Sequence, residues 1–460
     1  MIDNIFIILY FLLIAFLGAY NKRNKNLQQY SSIGKLNNPK LILVATIFSS
    51  SVGGGTTFGL MENIYSNNLA YSYALIATIP IDILIALVLV PKLAQYRGMS
   101  TVGDIIAKGY GSIGCVISGI SVVLVSLGYI AAQINVSSKI FQYLLNWQVL
   151  PSTIASYIIV IFYTSLGGLR SVVVVNLAQF IAMIIAIPLI TFIGLGNIGF
   201  SELIAFVPVE KYLLFSGYKI TQDMIIAILS LAFMGFCPTL IQRIVTQQSS
   251  SQVTRAIIQK SIIYGIFIIC ISINGLFAIY YSSNSQIIAS PVLNLINALV
   301  PAGLQGIAII GLLAAAMSTA DADLNILGIS LTKDIIGKIY HIKNTKIEVF
   351  VTQIFTALFG CLAIWLALIF DNPINLVVFS ASSWSPIILI PLVGMLFNIQ
   401  ISQKEFIICV LCSIIICIFN ELHEHPIWGI KTIFIGTLVH LILFSFFYVK
   451  QLIYGSKQNI

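Results

Sequence analysis

The sequence has very few charged residues for its length. Of 460 residues, 23 are Lys or Arg and 15 are Asp or Glu, so that 8% are charged. Soluble domains carry about 25% charged residues. Hydrophobic residues make up 59% of the chain, and the mean hydropathy is +1.02. These values exclude a soluble globular protein and predict an all-α protein that crosses the membrane many times.

Cysteine and histidine are also scarce. The seven cysteines fall in apolar runs without paired spacing, so we interpret them as small core residues and expect neither a disulfide nor a zinc site. The four histidines (His341, His423, His425 and His440) are scattered over loops and a terminal span, and they form no nucleophile or metal cluster with the aspartates. We therefore do not expect an enzyme.

Long apolar runs are abundant. A spanning helix needs about 20 mostly apolar residues, and this criterion predicts about thirteen spans: 5–20, 41–65, 71–93, 114–134, 150–165, 172–193, 224–245, 258–281, 303–331, 347–369, 375–397, 405–419 and 430–448. The first run has no basic segment before it and no small-residue cleavage site, so it is interpreted as a span and not as a signal peptide. We expect one transmembrane domain over 1–460, with 5–20, 405–419 and 430–448 as peripheral helices.

The basic residues predict the orientation of the chain. With an odd number of spans and an outside N-terminus, almost all Lys and Arg residues fall in inside loops, and the outside keeps only Lys139, Lys211, Lys219 and Lys431. This is the distribution that membrane insertion favours. It accounts for the net charge of +8 without nucleic acid as a partner. We expect a cytoplasmic C-terminus and, from the many Ile, Asn and Lys residues, a bacterial inner membrane.

Two predicted spans are interrupted by helix-breaking residues. The second contains SSSVGGGTTFG at 49–59, and the seventh contains FMGFCPTLIQR at 233–243. Consecutive glycines and an interior proline weaken or break a helix, and non-helical backbone is tolerated at membrane depth only inside protein or along a cavity. Paired breaks indicate an inverted-repeat transporter with a site at the midplane, so we predict repeats at 41–193 and 224–397. Close helix packing is the alternative explanation for the glycines.

The ninth span places hydroxyls and carboxylates in an apolar helix. It reads LLAAAMSTADADLN at 312–325, and Ser318 and Thr319 border a stripe of alanines that lets another helix approach. Hydroxyls, together with carbonyls freed by the break in the second span, would suit a hard cation such as sodium. Alternatively, the two hydroxyls bond back to carbonyls one turn earlier. Asp321 and Asp323 could line an ion pathway or form structural ion pairs with arginine.

Four passages resemble the sodium:solute symporter family, which includes sugar, proline, pantothenate and sialic acid carriers. They occur in family order: SSSVGGGTTFGL, YTSLGGLRSVVVVNLAQ, FMGFCPTLIQRIVT and AAAMSTADADLN. The resemblance covers most of the chain. It implies a five-plus-five inverted repeat with broken helices, the fold shared with amino-acid/sodium symporters.

The resemblance also implies positions for the ligands. The family's main sodium site corresponds to the backbone carbonyls of Ser49, Val52 and Ala315 and to the hydroxyls of Ser318 and Thr319. The substrate site corresponds to Gly54, Gly55, Thr56, Ser230, Phe233, Met234 and Tyr264.

The chain also departs from the family. Asn176 stands where the family usually has Asp, and Ala315 lacks the hydroxyl of members with a second sodium site. We therefore expect one Na⁺ as the only coupling ion, with Asp321, Asp323 and Asn176 as a possible ion pathway.

These observations together predict a sodium-coupled secondary active symporter that imports a small organic solute by alternating access. Backbone N–H groups freed around 53–57 would suit a carboxylate, which favours an amino acid, organic acid or vitamin-like compound over a sugar. The alternatives are a proton-coupled carrier, in which Asp82, Asp321 or Asp323 titrates, and a transporter-like membrane sensor. No oligomeric state is predicted.

Overall fold

The computed structural model describes residues 2–20, 26–31, 39–212, 225, 228–232, 235–247, 249–282, 290–340, 344–370, 376–377, 380–422 and 431–455. Every regular element in these ranges is helical. The fold is therefore the predicted all-α architecture.

The described residues of the first half contain ten α-helices. They are α1 (Ile2–Tyr20), α2 (Leu27–Tyr30), α3 (Pro39–Ser51), α4 (Phe58–Ser66), α5 (Ala70–Ala77), α6 (Ile79–Leu84), α7 (Val90–Leu93), α8 (Val102–Leu145), α9 (Val149–Asn197) and α10 (Phe200–Phe206). A π-helical turn, Ile85–Leu89, joins α6 to α7, and 3₁₀ turns follow at Ala94–Tyr96 and Val209–Lys211.

The second half contains a further eight α-helices in the described ranges. They are α11 (Pro238–Val245), α12 (Ser250–Ser282), α13 (Pro291–Leu299), α14 (Gln305–Ser330), α15 (Thr345–Ile369), α16 (Ile390–Leu396), α17 (Gln403–Leu422) and α18 (Thr432–Gly455). α14 continues through a π-helical segment, Leu331–Ile336, into a last turn at Gly337–Ile339, and a second π-helical segment, Ser385–Leu389, precedes α16.

Nine helical stretches in the described ranges are long and apolar enough to cross a membrane. One of them, Ala70–Tyr96, runs through α5, α6 and α7. The predicted spans 150–165 and 172–193 both lie in α9. Gly168, with a φ of 66°, is not helical and turns the chain between the two halves of α9. Gly111 does the same near the start of α8, where its φ is also 66°. α8 begins earlier than the predicted span 114–134 because Thr101 and Asp104 cap its N-terminus reciprocally.

Both predicted interruptions are present. In the second span, α3 ends at Ser51 and α4 begins only at Phe58, so the glycine-rich segment between them is not helical. In the seventh span, Pro238 is the first residue of α11, and Cys237 before it is extended, with φ −84° and ψ 161°. Proline is favoured at this first helical position because its missing N–H has no partner to lose there.

α14 is the central helix of the molecule. It packs against α1, α8, α9 and α15. In its most apolar stretch of 18 residues, 83% of the residues are buried. Small residues permit the close contact: a Cβ on Gly311 would clash with Ala186 of α9, and one on Gly328 would clash with Thr356 of α15. The position of α14 therefore holds the hydroxyls at 318 and 319 in the protein interior.

Candidate functional site

Five oxygen atoms from α3 and α14 meet at the start of the break. The Ser318 hydroxyl lies 2.9 Å from the carbonyl oxygen of Ser49 and 3.1 Å from that of Ala315. The Thr319 hydroxyl lies 3.3 Å from the carbonyl oxygen of Val52, 3.4 Å from that of Ser49 and 3.2 Å from that of Ala315. The structure thus brings all five predicted sodium-site residues together.

The hydroxyl-to-carbonyl distances of 2.9–3.4 Å are those of hydrogen bonds, and they also match the separation of neighbouring ligands on one cation. A hard cation such as Ca²⁺ binds oxygen ligands at about 2.3–2.6 Å. Two ligands each about 2.4 Å from one ion and about 90° apart are then about 3.4 Å from each other. The five oxygens are neutral, and two of their carbonyls come from the end of α3, where the helix leaves them without an intrahelical partner.

The local explanation for the two hydroxyls is present in part. Both hydroxyls do bond back to the carbonyl oxygen of Ala315, one turn earlier. However, both also reach across to α3, which back-bonding within a helix does not require. The pair therefore ties the broken helix to α14.

A cavity of about 520 Å³ lies beside this oxygen cluster. Thr319 lines one wall together with Gly53, Gly55 and Thr56 of the break. Along the opposite helices the cavity extends from Ala70 to Ile85, a helical rise of about 22 Å at about 1.5 Å per residue. It is therefore elongated, and its volume is in the usual range for a small-molecule site.

Most of the predicted substrate residues line this cavity. Gly55, Thr56, Ser230 and Tyr264 form part of its wall. Gly54 lies in the break immediately behind it, where an added Cβ would come within 2.9 Å of Val136. Phe233 and Met234 lie outside the described residues.

The backbone of the break is only partly free for a ligand. The Gly53 N–H donates to the Thr56 hydroxyl at 2.9 Å, and the Gly54 N–H donates to the side-chain oxygen of Gln133 at 2.6 Å. At Gly55 an added Cβ would meet no heavy atom within 4 Å, so this residue faces open space. The Thr56 N–H also donates to the carbonyl oxygen of Gly53, at 3.2 Å. The prediction of free donors along 53–57 is therefore wrong at Gly53, Gly54 and Thr56, because the turn and Gln133 use their N–H groups.

Gln133 was missed by sequence reasoning. It lies in α8, is 5% exposed, lines the cavity and bonds to the break. Its only signal in the sequence is an amide side chain, with Asn135 two residues later, in the apolar run GYIAAQINV at 128–136. Such a residue is too common in membrane helices to identify a site without its neighbours.

Asp321 does not line the cavity and lies instead in a buried polar cluster. Its carboxylate accepts a 2.7 Å hydrogen bond from the hydroxyl of Tyr163. When the Asn176 amide is oriented to satisfy its neighbours, its nitrogen donates to the Asp321 carboxylate at 3.2 Å and its oxygen accepts from the guanidinium of Arg243 at 3.2 Å. Arg243 also donates to Thr46 at 3.1 Å. Two of the three predicted pathway residues, Asp321 and Asn176, thus contact each other.

The third pathway residue, Asp323, lies apart from this cluster. It is 4% exposed and lines the cavity, on the same helix as Thr319. A second carboxylate, Asp82, lines the cavity from α6 and forms a 2.7 Å ion pair with Lys260 of α12. The need for a partner at Asp82 was predictable from its apolar surroundings, but Lys260 was not, since the two residues are 178 positions apart.

Comparisons with known proteins identify the family of the chain. The family model of the sodium:solute symporter family matches residues 39–405. This range includes both breaks, the oxygen cluster and the cavity-lining helices α3 to α14. The chain belongs to the sodium:solute symporter family, a family of membrane transporters.

Solved structures with the same fold include a sodium-coupled symporter and MhsT. A Na⁺-coupled sialic acid symporter, solved in a substrate-bound outward-open state, is 16% identical, covers 97% of this chain and 98% of its own, and has a TM-score of 0.81. MhsT in complex with L-phenylalanine is 17% identical, covers 89% of this chain and 98% of its own, and has a TM-score of 0.53. Among curated proteins, none matches the chain in sequence.

Proposed function

We propose that this multi-pass membrane protein is a Na⁺-coupled symporter that imports a small organic solute by alternating access. The observation that carries the proposal is the group of five oxygens at Ser49, Val52, Ala315, Ser318 and Thr319, with its 2.9–3.4 Å spacing. One sodium ion bound there bridges the broken second span and the central helix α14.

The bridge supplies the coupling. Sodium stabilises the conformation in which the end of α3 and α14 lie together, and this conformation also completes the wall of the cavity at Gly53 and Thr319. A ligand shifts an equilibrium only through its different affinity for the two states. Sodium and solute must therefore raise each other's affinity by the same factor. An inside-negative potential adds about 2.3 kcal/mol per charge per 100 mV.

The solute carries a carboxylate, which binds beside the break. One observation supports this: Gly55 lines the cavity and has open space beside it for a ligand group. A sodium ion at Thr319 would place a positive charge next to the same segment. An amino acid, an organic acid or a vitamin-like acid has the required group.

The moving units are the two repeats, 41–193 and 224–397, with the N-terminus outside and the C-terminus in the cytoplasm. In this proposal, the breaks before Phe58 and Pro238 fall in the first span of each repeat and so correspond to each other. Alternating access then arises when one repeat rocks against the other around the fixed site.

A thermal-shift screen of the purified protein in detergent tests the proposal. Amino acids, organic acids, sugars and vitamins would each be measured in sodium chloride and in choline chloride. We expect sodium to raise the Tm, and one carboxylate-bearing compound to raise it further only when sodium is present. Stabilisation by a neutral sugar alone would contradict the carboxylate assignment, and no sodium effect would contradict the coupling.

Proton coupling is the second candidate, and one observation favours it. Asp323 is a buried carboxylate that lines the cavity on the same helix as the proposed sodium ligands. Uptake into proteoliposomes that follows an imposed pH gradient and ignores sodium would establish this alternative. Uptake that follows sodium in the Asp323→Asn variant would exclude it.

A further inference from the structure

The cavity contains an ion pair that the sodium site does not use. Lys260 of α12 and Asp82 of α6 lie 2.7 Å apart, and their side chains are only 7% and 16% exposed. The Lys260 ammonium also lies 4.9 Å from the ring centre of Tyr264, and all three side chains line the cavity. Burial of an ionisable residue inside a membrane costs free energy, so such residues are candidates for a functional role.

Both members of the pair have unused hydrogen-bonding capacity toward the cavity. Within the described part of the chain, the two hydrogen bonds to the Asp82 carboxylate both end on Oδ2, one from Lys260 and one from Ser261. Oδ1 can therefore accept a further bond. An ammonium has three donors, of which Asp82 takes one. The pair thus offers a donor and an acceptor side by side.

The pair lies at a distance from the sodium site, beside which the carboxylate is proposed to bind. The ring of Phe267 in α12 is 5.2 Å from that of Phe48, the residue before Ser49. Lys260 is seven residues earlier in α12, which is about 10 Å along the helix axis. The neighbouring helix agrees with this placement, since Gly265 packs on Ile79, three residues before Asp82. One solute can therefore reach both places only if it is elongated.

The charge of the pair limits what it can bind. Asp82 and Lys260 neutralise each other, so an added ammonium or carboxylate would leave one buried charge without a partner, which is costly. A neutral amide or hydroxyl adds no charge, and its donor and acceptor complete the unused positions. The other charged residues that line the cavity, Asp323 and Lys431, belong to different elements: α14 and the residue before α18.

We propose that Asp82 and Lys260 form a second anchor for the transported solute, which binds a neutral amide or hydroxyl group at the end remote from the carboxylate. This inference rests on the proposed function, because it takes the first anchor to be the carboxylate site beside the break. The solute class is then a monocarboxylic acid with an amide or hydroxyl group roughly 10 Å from the carboxylate.

A matched set of acids tests the second anchor. The probes are hexanoate and octanoate, each unsubstituted or with a hydroxyl, carboxamide, amino or carboxylate group at the far end. Apparent Kd values would be measured by thermal-shift titration of the full chain in sodium chloride. We expect octanoate with a far-end carboxamide or hydroxyl to bind about tenfold more tightly than unsubstituted octanoate.

The variant Asp82→Asn with Lys260→Met removes both charges and leaves none unpaired. We expect it to lose the preference for the far-end group while it keeps the sodium-dependent rise in Tm. The matched control is Asp104→Asn with Lys333→Met, which removes another 2.7 Å ion pair that does not line the cavity. This control should keep both the preference and the sodium response.

A second variant keeps the proposal testable should the double variant not fold. Lys260→Arg retains the positive charge and has a longer side chain, so the preferred probe should shift from the octanoate toward the hexanoate series. An unchanged length preference in a folded Lys260→Arg protein would contradict the anchor.

The other outcomes separate this inference from the proposed function. A far-end preference that survives Asp82→Asn with Lys260→Met would show that the ion pair only braces α6 against α12. Tightest binding of the amino or dicarboxylate probes would overturn the neutral-group assignment. Binding of all monocarboxylates alike would overturn the second anchor alone, whereas a sodium response without any carboxylate binding would overturn both anchors.

Discussion

The hydroxyl of Ser318 lies 2.9 Å from the carbonyl oxygen of Ser49, although the two residues are 269 positions apart. One residue belongs to the central helix, and the other belongs to the end of a helix that stops two residues later, at Ser51, just before the break. The contact exists because the second span loses its helical geometry and exposes carbonyls that α14 can reach. Each prediction below depends on this junction or on the packing that supports it.

Removal of both hydroxyls should abolish the sodium response. In Ser318→Ala with Thr319→Ala, three backbone carbonyls remain, and they are too few to replace the hydration shell of the ion. Wild-type protein should gain about 2.7 kcal/mol at a sodium concentration 100 times the Kd, and the variant should gain nothing. The measurement is the Tm in sodium chloride against choline chloride.

The control for this prediction is Ser272→Ala. The Ser272 hydroxyl bonds back to Ile268 at 2.7 Å within α12 and takes no part in the oxygen cluster. This variant should keep the sodium response. Full sodium dependence in the double variant would mean that the ion binds elsewhere.

Two neighbouring glycines should differ in their tolerance of alanine. A Cβ on Gly53 would lie 2.9 Å from the Thr319 hydroxyl and 3.0 Å from Gln133, whereas one on Gly55 would meet nothing within 4 Å. We expect Gly53→Ala to weaken sodium binding at least tenfold because it displaces Thr319, and Gly55→Ala to leave it within about twofold. Sodium titrations of the two Tm values check the difference, and equal affinities would contradict the geometry of the break.

Tyr163 should be needed for stability. Its hydroxyl donates the 2.7 Å bond to the fully buried Asp321 carboxylate. Tyr163→Phe leaves that carboxylate with one donor fewer, which should cost about 1–3 kcal/mol. Tyr340→Phe, at a residue that is 71% exposed, should cost nothing measurable. The free energies of unfolding of the two variants, measured thermally or with denaturant, check this prediction. Equal values would show that Asp321 does not depend on this bond.

The turn between the two halves of α9 should require glycine. Gly168 has a φ of 66°, and a Cβ there would lie 2.6 Å from the carbonyl oxygen of Tyr30. Gly168→Ala should therefore destabilise the protein by about 1–3 kcal/mol. Gly196→Ala, where a Cβ meets nothing within 4 Å, should be neutral or should stabilise by up to about 1 kcal/mol. A stable Gly168→Ala protein would argue against this path of the chain.

The elements that sequence reasoning predicted best are those with a strong local cause. The glycine run at 53–55 and the proline at 238 cannot continue a helix at low cost, so both breaks were predictable from residue type alone. The hydroxyl pair at 318 and 319 was identified for a similar reason, since polar groups in an apolar helix need partners. The turn at Gly168 likewise falls in the predicted connection between the spans 150–165 and 172–193. The start of α8 at Val102 was less predictable, because a capping box leaves a weak signal in the sequence.

The partners of the buried polar groups were the part that sequence reasoning could not supply. Asp82 pairs with Lys260 across 178 positions, Gln133 reaches the Gly54 N–H across 79, and Tyr163 reaches Asp321 across 158. Local pattern determines where an apolar helix begins, breaks and carries a polar group, because these depend on residues within one or two turns. Which polar groups meet depends on how the helices pack around α14, and that packing is a property of the whole folded chain.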